Sequence, residues 1–313
     1  MTFTNRYRRY KMIFLSVGIT IGIPVFFLAV FFTSSFDSVI EAIIYLLMVI
    51  TYISFVFITG AWGWMGYYLR WLLILLCIPA IIKVIVLYPD LPHLVHLDTS
   101  TVIDFILILL LGGLILQAFK GFTEPENTIS LASPFKDGTY LIAQGGGAGI
   151  INRHFPHPSQ KYAMDIVKIN KWGYRAQGVY PSAKEDFYIW NEPVYSPCAG
   201  VVTAVSEHHE DFDPPEKDVK HPAGNYVTIH FESGTLYLAH LKQNTIAVSK
   251  GDMVEKGDLI GYIGNSGNTT EPHLHLHAEK KVSEISETKR IGLPVKINSR
   301  FLKRNDIFTG KVL

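Results

Sequence analysis

The segment Glu271-Pro-His-Leu-His-Leu-His277 carries three histidines at alternate positions. In a β-strand alternate residues share a face, so His273, His275 and His277 project the same way. Three imidazoles on one face are costly to bury unless something binds them, and a metal ion does so by accepting their neutral nitrogens. On an exposed strand the same pattern would merely be solvated. A hydrolytic metal centre needs three protein ligands and one open position for water. Asp165, in Tyr162-Ala-Met-Asp-Ile-Val167, is a carboxylate inside an otherwise apolar strand. Burying it alone is expensive, so a metal or a basic partner is expected beside it; a structural ion pair with a Lys or Arg is the plainer alternative. His240 closes the run Leu238-Ala-His240-Leu241, where a satisfied core histidine is the plain reading. The chain has no HExxH helix and therefore no glutamate base of that kind.

Further segments stand in a fixed order: Tyr237-Leu-Ala-His240-Leu, Val248-Ser-Lys-Gly-Asp-Met-Val-Glu-Lys-Gly-Asp-Leu-Ile-Gly-Tyr-Ile-Gly264, Gly267-Asn-Thr-Thr270 and Pro272-His-Leu-His275. Pro193-Val-Tyr-Ser-Pro-Cys-Ala-Gly-Val-Val202 and Gly224-Asn-Tyr-Val-Thr-Ile-His230 precede them. Across residues 152–279 the series resembles the lysostaphin-type zinc metallopeptidases, peptidoglycan endopeptidases with the duplicated hybrid motif fold. The resemblance implies a Zn2+ cofactor, with Asp165 and His275 as metal ligands and His240 and His273 as catalytic residues. Two residues separate Tyr237 from His240, where the family usually has one. The family's commonest pattern places the first ligand four residues before the aspartate, and Lys161 stands there. A variant carries that histidine upstream of a Gln-x-Tyr-Ala-x-Asp segment, matched by Gln160-Lys-Tyr-Ala-Met-Asp165. His154 fits the variant best, with His157 as second choice. His277 stands where the family often has Glu, and its role is open. The implied activity is zinc-dependent endopeptidase cleavage of peptidoglycan peptides or cross-links. Two rivals stand beside it. One is an inactive scaffold of the same fold that binds peptidoglycan or a partner, which Lys161 favours. The other is a phosphoryl, biotinyl or lipoyl carrier, which needs no Asp–His metal set and would show an exposed lysine turn.

These residues need a scaffold of strands. After residue 119 the chain reads as short segments rich in Val, Ile and Tyr, separated by Gly, Pro and Asn, and few segments have helical periodicity. Tyr226-Val-Thr-Ile-His-Phe231 and Thr235-Leu-Tyr-Leu-Ala-His240 predict a hairpin closed by Glu232-Ser-Gly234. Val201 to Val205 and Leu259 to Ile263 predict further strands. The loops 168–192 and 207–223 are long, charged and Pro-containing, and would wall a substrate groove. The expected architecture is a multi-domain chain: a transmembrane helical region over 1–119, a linker over 120–130 and a mainly antiparallel β peptidase domain over 131–313.

The first part is built differently. Four apolar stretches, 12–33, 39–60, 71–88 and 102–119, reach the ~20 residues that a hydrocarbon core requires. The first follows Arg6, Arg8, Arg9 and Lys11, yet it is longer than a signal-peptide core, lacks a clear small-residue cleavage site and is followed by three more spans. It reads as an anchor. Lys83 lies near the end of the third stretch, where it can snorkel, and Glu41 and Asp104 lie near helix starts. Trp62, Trp64, Tyr67, Tyr68 and Trp71 suggest an interfacial aromatic belt. The basic N-terminus, with Arg70 and Lys120, predicts a cytoplasmic start, and four crossings then return the chain to the cytoplasm. The peptidoglycan resemblance instead implies a domain outside the membrane. The formal net charge of +1 gives no field for nucleic acid, the expected partners being the bilayer and a peptide substrate. Cys77 and Cys198 belong to no CxxC pair and lie in different surroundings, so neither a cysteine zinc site nor a disulfide is expected.

Overall fold

A computed structural model describes residues 14–93, 98–283 and 288–311. The N-terminal Arg6, Arg8, Arg9 and Lys11, and His96, lie outside them. The chain forms two compact units, Met1–Phe119 and Lys120–Leu313.

The first unit consists of α1 (Phe14–Thr33), α2 (Val39–Thr59), the single turn α3 (Trp62–Met65), α4 (Leu69–Leu87) and α5 (Thr99–Lys120). The four long helices are long and apolar enough to cross a membrane. Several of their polar groups serve helix ends. Ser38 Oγ accepts from the Ile40 amide at the start of α2 (3.1 Å), and Asp98 Oδ1 accepts from the Thr101 amide at the start of α5 (2.9 Å). Lys83 Nζ donates to the carbonyls of Phe31 (2.7 Å), Phe32 (3.2 Å) and Ser34 (3.2 Å), so its charge closes the C-terminal end of α1. The aromatic cluster divides. Tyr68 and Trp71 are half exposed, whereas Tyr67 is buried and Trp62 Nε1 turns inward to the carbonyls of Val56 and Phe57 at the end of α2. Arg70 is also buried, lying over the rings of Phe57 and Tyr67. Leu75, Ile85, Val86, Leu109 and Leu116 are more than half exposed, a surface suited to acyl chains rather than water.

The second unit contains β1 (Ile129–Leu131), β2 (Thr139–Gln144), β3 (Met164–Ile169), β4 (Pro193–Tyr195), β5 (Gly200–Ser206), β6 (Asn225–Phe231), β7 (Gly234–Leu241), β8 (Met253–Val254), β9 (Leu259–Tyr262), β10 (Leu274–Ser283), β11 (Thr288–Leu293), β12 (Val295–Ile297) and β13 (Ile307–Thr309). One nine-stranded sheet runs β13-β2-β3-β10-β7-β6-β5-β8, with β11 also paired to β10, and every pairing in it is antiparallel. Two small sheets, β1-β12 and β4-β9, complete the fold. Ile166, Leu236, Leu238, Leu274, Leu276 and Ile229 share one fully buried core, and alternation sends Asp165, His275 and His277 to the other face. Residues 120–127 also make contacts within this unit: the Gly147 amide donates to the Gly121 carbonyl, and Lys296 Nζ donates to Glu124 Oε1 (2.8 Å).

A candidate metal centre

β10 lies between β3 and β7, and its register makes His275 the direct cross-strand partner of Asp165. His275 Nδ1 stands 3.0 Å from Asp165 Oδ1. The third member arrives from a loop. Asn152 is fully buried, and its Nδ2 donates to the carbonyls of Gly146 (3.0 Å) and Ala163 (3.1 Å), while its Oδ1 accepts from the His154 amide (3.0 Å). That brace brings His154 Nε2 to 3.0 Å and 3.1 Å from the two carboxylate oxygens of Asp165. His157, three residues on, is exposed and has no place in the group.

One nitrogen from each histidine and one carboxylate oxygen lie within 4.8 Å of one another. Tetrahedral ligands at about 2.0–2.1 Å from zinc are themselves about 3.3 Å apart, so this set closes on an ion with little movement. A buried orphan also points at the cluster. Among the described residues His273 Nε2 has no hydrogen-bond partner, and it lies 3.5 Å from Asp165 Oδ1. Two imidazoles and a carboxylate are a donor set suited to zinc.

His273 does not belong to the strand on which the alternating pattern places it: β10 starts one residue later, at Leu274. Its orientation comes from a local bond, since its Nδ1 faces the Glu271 carbonyl at 2.9 Å. A carbonyl only accepts, so Nδ1 carries the hydrogen and Nε2 keeps its lone pair. His240 follows the same logic by another route. It sits at φ +64°, in the left-handed region, where the β6–β7 register slips between Asn225 and Tyr226. The resulting bulge re-aims the side chain. Its Nδ1 lies 2.8 Å from the Ser266 carbonyl, and its ring centroid is 4.7 Å from that of His273.

His277 does not reach Asp165. Its Nδ1 lies 3.0 Å from His275 Nε2, on the side away from the carboxylate, and its ring stacks on Tyr237 at 4.5 Å and 10°. It therefore fixes the orientation of His275, the service that an outer hydrogen-bonding partner gives a ligand histidine. Burial drives the imidazoles of His240 and His277 well below the ordinary histidine range, and that of His275 below it, with neighbouring histidines acting in the same direction. Asp165 goes the other way. Burial opposes its ionisation, but the surrounding imidazoles of His273, His154 and His275 outweigh that, holding the carboxyl well below 3.8.

Three arginines escaped the sequence reading. Arg153 Nη2 donates to Asp165 Oδ2 (2.9 Å), so the ion pair weighed as an alternative for Asp165 coexists with the histidine cluster. Arg175 is buried and paired with Glu271 Oε1 at 2.6 Å. Arg304 donates to the Ala143 carbonyl, and burial, with Arg175 and Arg153 nearby, lowers its pKa to about 10. Only Arg153 had a sequence signal, its place beside His154.

Residues 186–287 match the Peptidase family M23. The C-terminal unit carries an M23 peptidase domain. The matched stretch of this M23 domain includes His240, His273 and His275, whereas His154 and Asp165 precede it. The peptidoglycan DD-endopeptidase ShyA of Vibrio cholerae is 30% identical over 179 residues, covering 53% of this chain and 35% of that protein. An uncharacterized metalloprotease of Buchnera aphidicola is 49% identical over 55 residues, 17% of this chain and 14% of the other. The chain thus spans about a third or less of these relatives. Among solved structures, a zinc-containing peptidase from Vibrio cholerae aligns over 57% of this chain and 39% of its own, with 22% identity and TM-score 0.28. The catalytic domain of lysostaphin from Staphylococcus simulans aligns over 36% and 84%, with 19% identity and TM-score 0.23.

Proposed function

We propose that the protein is a membrane-anchored zinc metalloendopeptidase that hydrolyses peptide bonds in peptidoglycan peptides or cross-links, with a helical anchor over 1–119 and the peptidase in 131–313. The observation that carries this reading is the convergence of His154, Asp165 and His275 on one point, with the Nε2 atoms of His273 and His240 left as acceptors around it.

In this reading His154, Asp165 and His275 hold the zinc, which when bound activates a water and polarises the scissile carbonyl. The chain's own residues supply the proton chemistry. Nε2 of His240 or His273 accepts the proton of the attacking water, since each Nδ1–H is committed to a carbonyl. The protonated imidazole then donates from Nε2, to the developing oxyanion or to the leaving amine. The lowered basicity of His240 keeps its imidazole neutral and ready as base, and makes it a strong donor once charged. Arg153, more than half exposed beside Asp165, offers a cation at the mouth of the site. An extracytoplasmic domain follows from the proposed substrate, which lies outside the membrane.

The full chain purified in detergent should contain zinc and release products from cross-linked muropeptides. His154→Ala, Asp165→Ala and His275→Ala should each lose metal and activity, whereas His240→Ala and His273→Ala should lose activity while retaining metal. Metal-free wild-type protein without peptidase activity would overturn the enzyme in favour of an inactive scaffold.

A further inference from the structure

A second group of metal-ligating side chains lies in the loop between β5 and β6. His209, Asp218 and His221 bring two imidazole nitrogens and a carboxylate oxygen within 4.8 Å of one another. The rings of His209 and His221 face each other at 4.6 Å with a 34° tilt, and His221 Nδ1 lies 2.7 Å from Asp218 Oδ2. None of the three belongs to the centre built on Asp165.

The backbone under these side chains is fixed. The His209 amide donates to Asn225 Oδ1 (2.8 Å), and Asn225 Nδ2 returns a bond to the His209 carbonyl (2.8 Å); Asn225 is fully buried. The Asp218 amide donates to the Gly267 carbonyl (2.8 Å), and the Gly224 amide to the His221 carbonyl (2.9 Å). Asp218 Oδ1 takes the Lys220 amide (2.8 Å), which leaves Oδ2 turned towards the histidines. A surface site usually loses affinity because ligand-bearing loops must be ordered first. Here the loop is held at all three ligand positions by bonds to buried strand and turn residues.

We propose that His209, Asp218 and His221 form a second site for a divalent first-row transition metal, zinc in the first instance. The donor set fits this class: imidazoles with one carboxylate favour zinc, nickel, cobalt or copper over calcium and magnesium, which select oxygen. His221 is exposed and the other two are half-buried, so water completes the coordination and the site exchanges freely with solvent. Occupancy would tie the loop into a closed ring beside the proposed catalytic residues. Ala223, two residues after His221, accepts the His240 amide through its carbonyl (3.2 Å), and the Asn268 amide bonds to the Pro222 carbonyl (3.0 Å). A bound ion thus stiffens the segment on which the left-handed conformation of His240 rests.

The test uses the full chain in detergent, without a polyhistidine tag, stripped with a chelator and titrated with Co2+ alone. Bound metal is counted by equilibrium dialysis, and the visible d–d absorption is recorded. Wild type should bind one equivalent more than the double variant His209→Ala/His221→Ala, and Asp218→Asn should weaken that equivalent. The contribution of the other centre is separated by Asp165→Ala. Metal that remains in Asp165→Ala and disappears when His209 and His221 are also replaced supports the site, even if peptidase activity is never detected. Equal metal content and equal spectra in wild type and His209→Ala/His221→Ala would overturn it while leaving the proposed function standing. Protease cleavage within 207–223 gives an independent readout: Co2+ should slow it in Asp165→Ala, and no protection there would also overturn the site.

Discussion

Asp165 and His275 face each other across adjacent antiparallel strands, with Nδ1 and Oδ1 3.0 Å apart on a face whose reverse is the hydrophobic core. Strand register alone sets this pair, so its geometry depends on the packing of Ile166, Leu274 and Leu276 beneath it. Leu276→Ala should cost about 2–5 kcal/mol of stability through the cavity it leaves. Because a ligand bound only to the folded state adds stability by mass action, zinc should raise the melting temperatures of Leu276→Ala and wild type alike. Zinc should have a smaller effect on Asp165→Asn, which keeps the shape of the side chain but loses its charge. Calorimetry with and without zinc measures all three.

His154 and His157 make opposite predictions. His154 is held against Asp165 by Asn152, whereas His157 is exposed. His157→Ala should leave stability within about 0.5 kcal/mol and zinc content unchanged. His154→Ala should lose zinc. Asn152→Ala should weaken zinc binding by about 10–100-fold, because it frees the loop that aims the ligand while leaving the ligand in place. Equilibrium dialysis against a chromogenic chelator distinguishes the three.

His240 carries a backbone cost, which the role proposed for it would account for. A non-glycine residue in the left-handed region is strained by about 1 kcal/mol or more. His240→Gly should therefore recover part of the stability that the side chain's loss costs, and should be more stable than His240→Ala. Both should lower kcat by about 100- to 10,000-fold with bound zinc unchanged. Thermal denaturation alongside single-turnover hydrolysis separates the two effects.

How far these positions could be read from sequence depends on what holds each one. Period-two alternation is local, so a shared face for His275 and His277 was legible, and an isolated carboxylate such as Asp165 in an apolar strand demands a partner; the choice of His275 among the three histidines came from the family resemblance. His154 stayed in competition with His157 because both lie in irregular backbone, where no period assigns a face. The bulge at His240 and the start of β10 after His273 are set by pairing with distant residues, Asn225 and Ile166, which no local pattern records. The four apolar helices announce themselves through hydropathy over some twenty residues each. The inward turn of Trp62 and Tyr67 does not, because it depends on which neighbouring helix supplies carbonyls and rings.

Cys198 offers a check on the core that is independent of the metal. Its thiol is buried, and burial pushes its pKa up to about 11, with Lys256 opposing the shift. At pH 8 only about one thiol in a thousand is then ionised, against roughly a quarter for an ordinary cysteine. In a Cys77→Ser background, alkylation at pH 8 should proceed only at the rate of unfolding. The pH dependence has a definite sign. The folded-state pKa lies above the unfolded value, so the thiol's contribution to stability is complete below about pH 8.5 and falls away as pH rises towards 11. Rapid labelling of native protein at pH 8 would contradict the packing around Cys198.

The sharpest test of the proposed substrate is topological. Four helices of 19–22 residues, preceded by Arg6, Arg8, Arg9 and Lys11, would if all crossed return the chain to the side on which it started, and the basic cluster favours the cytoplasm for that side. Peptidoglycan lies on the other side. An external peptidase therefore requires either that the N-terminus is also external, against its charge, or that one apolar helix does not cross. α4 is the shortest of the four and contains Pro79, which removes one backbone donor. α1 is the other candidate, because its flanking charges can hold it at the interface. Alkaline phosphatase and a green fluorescent reporter, each fused after Leu313, give opposite signals on the two sides. The proposed function predicts phosphatase activity and no fluorescence. Fluorescence alone would remove peptidoglycan as the substrate and leave a metallopeptidase acting on cytoplasmic peptides. Fusions after Gly60 and after Tyr88 then identify the helix that fails to span.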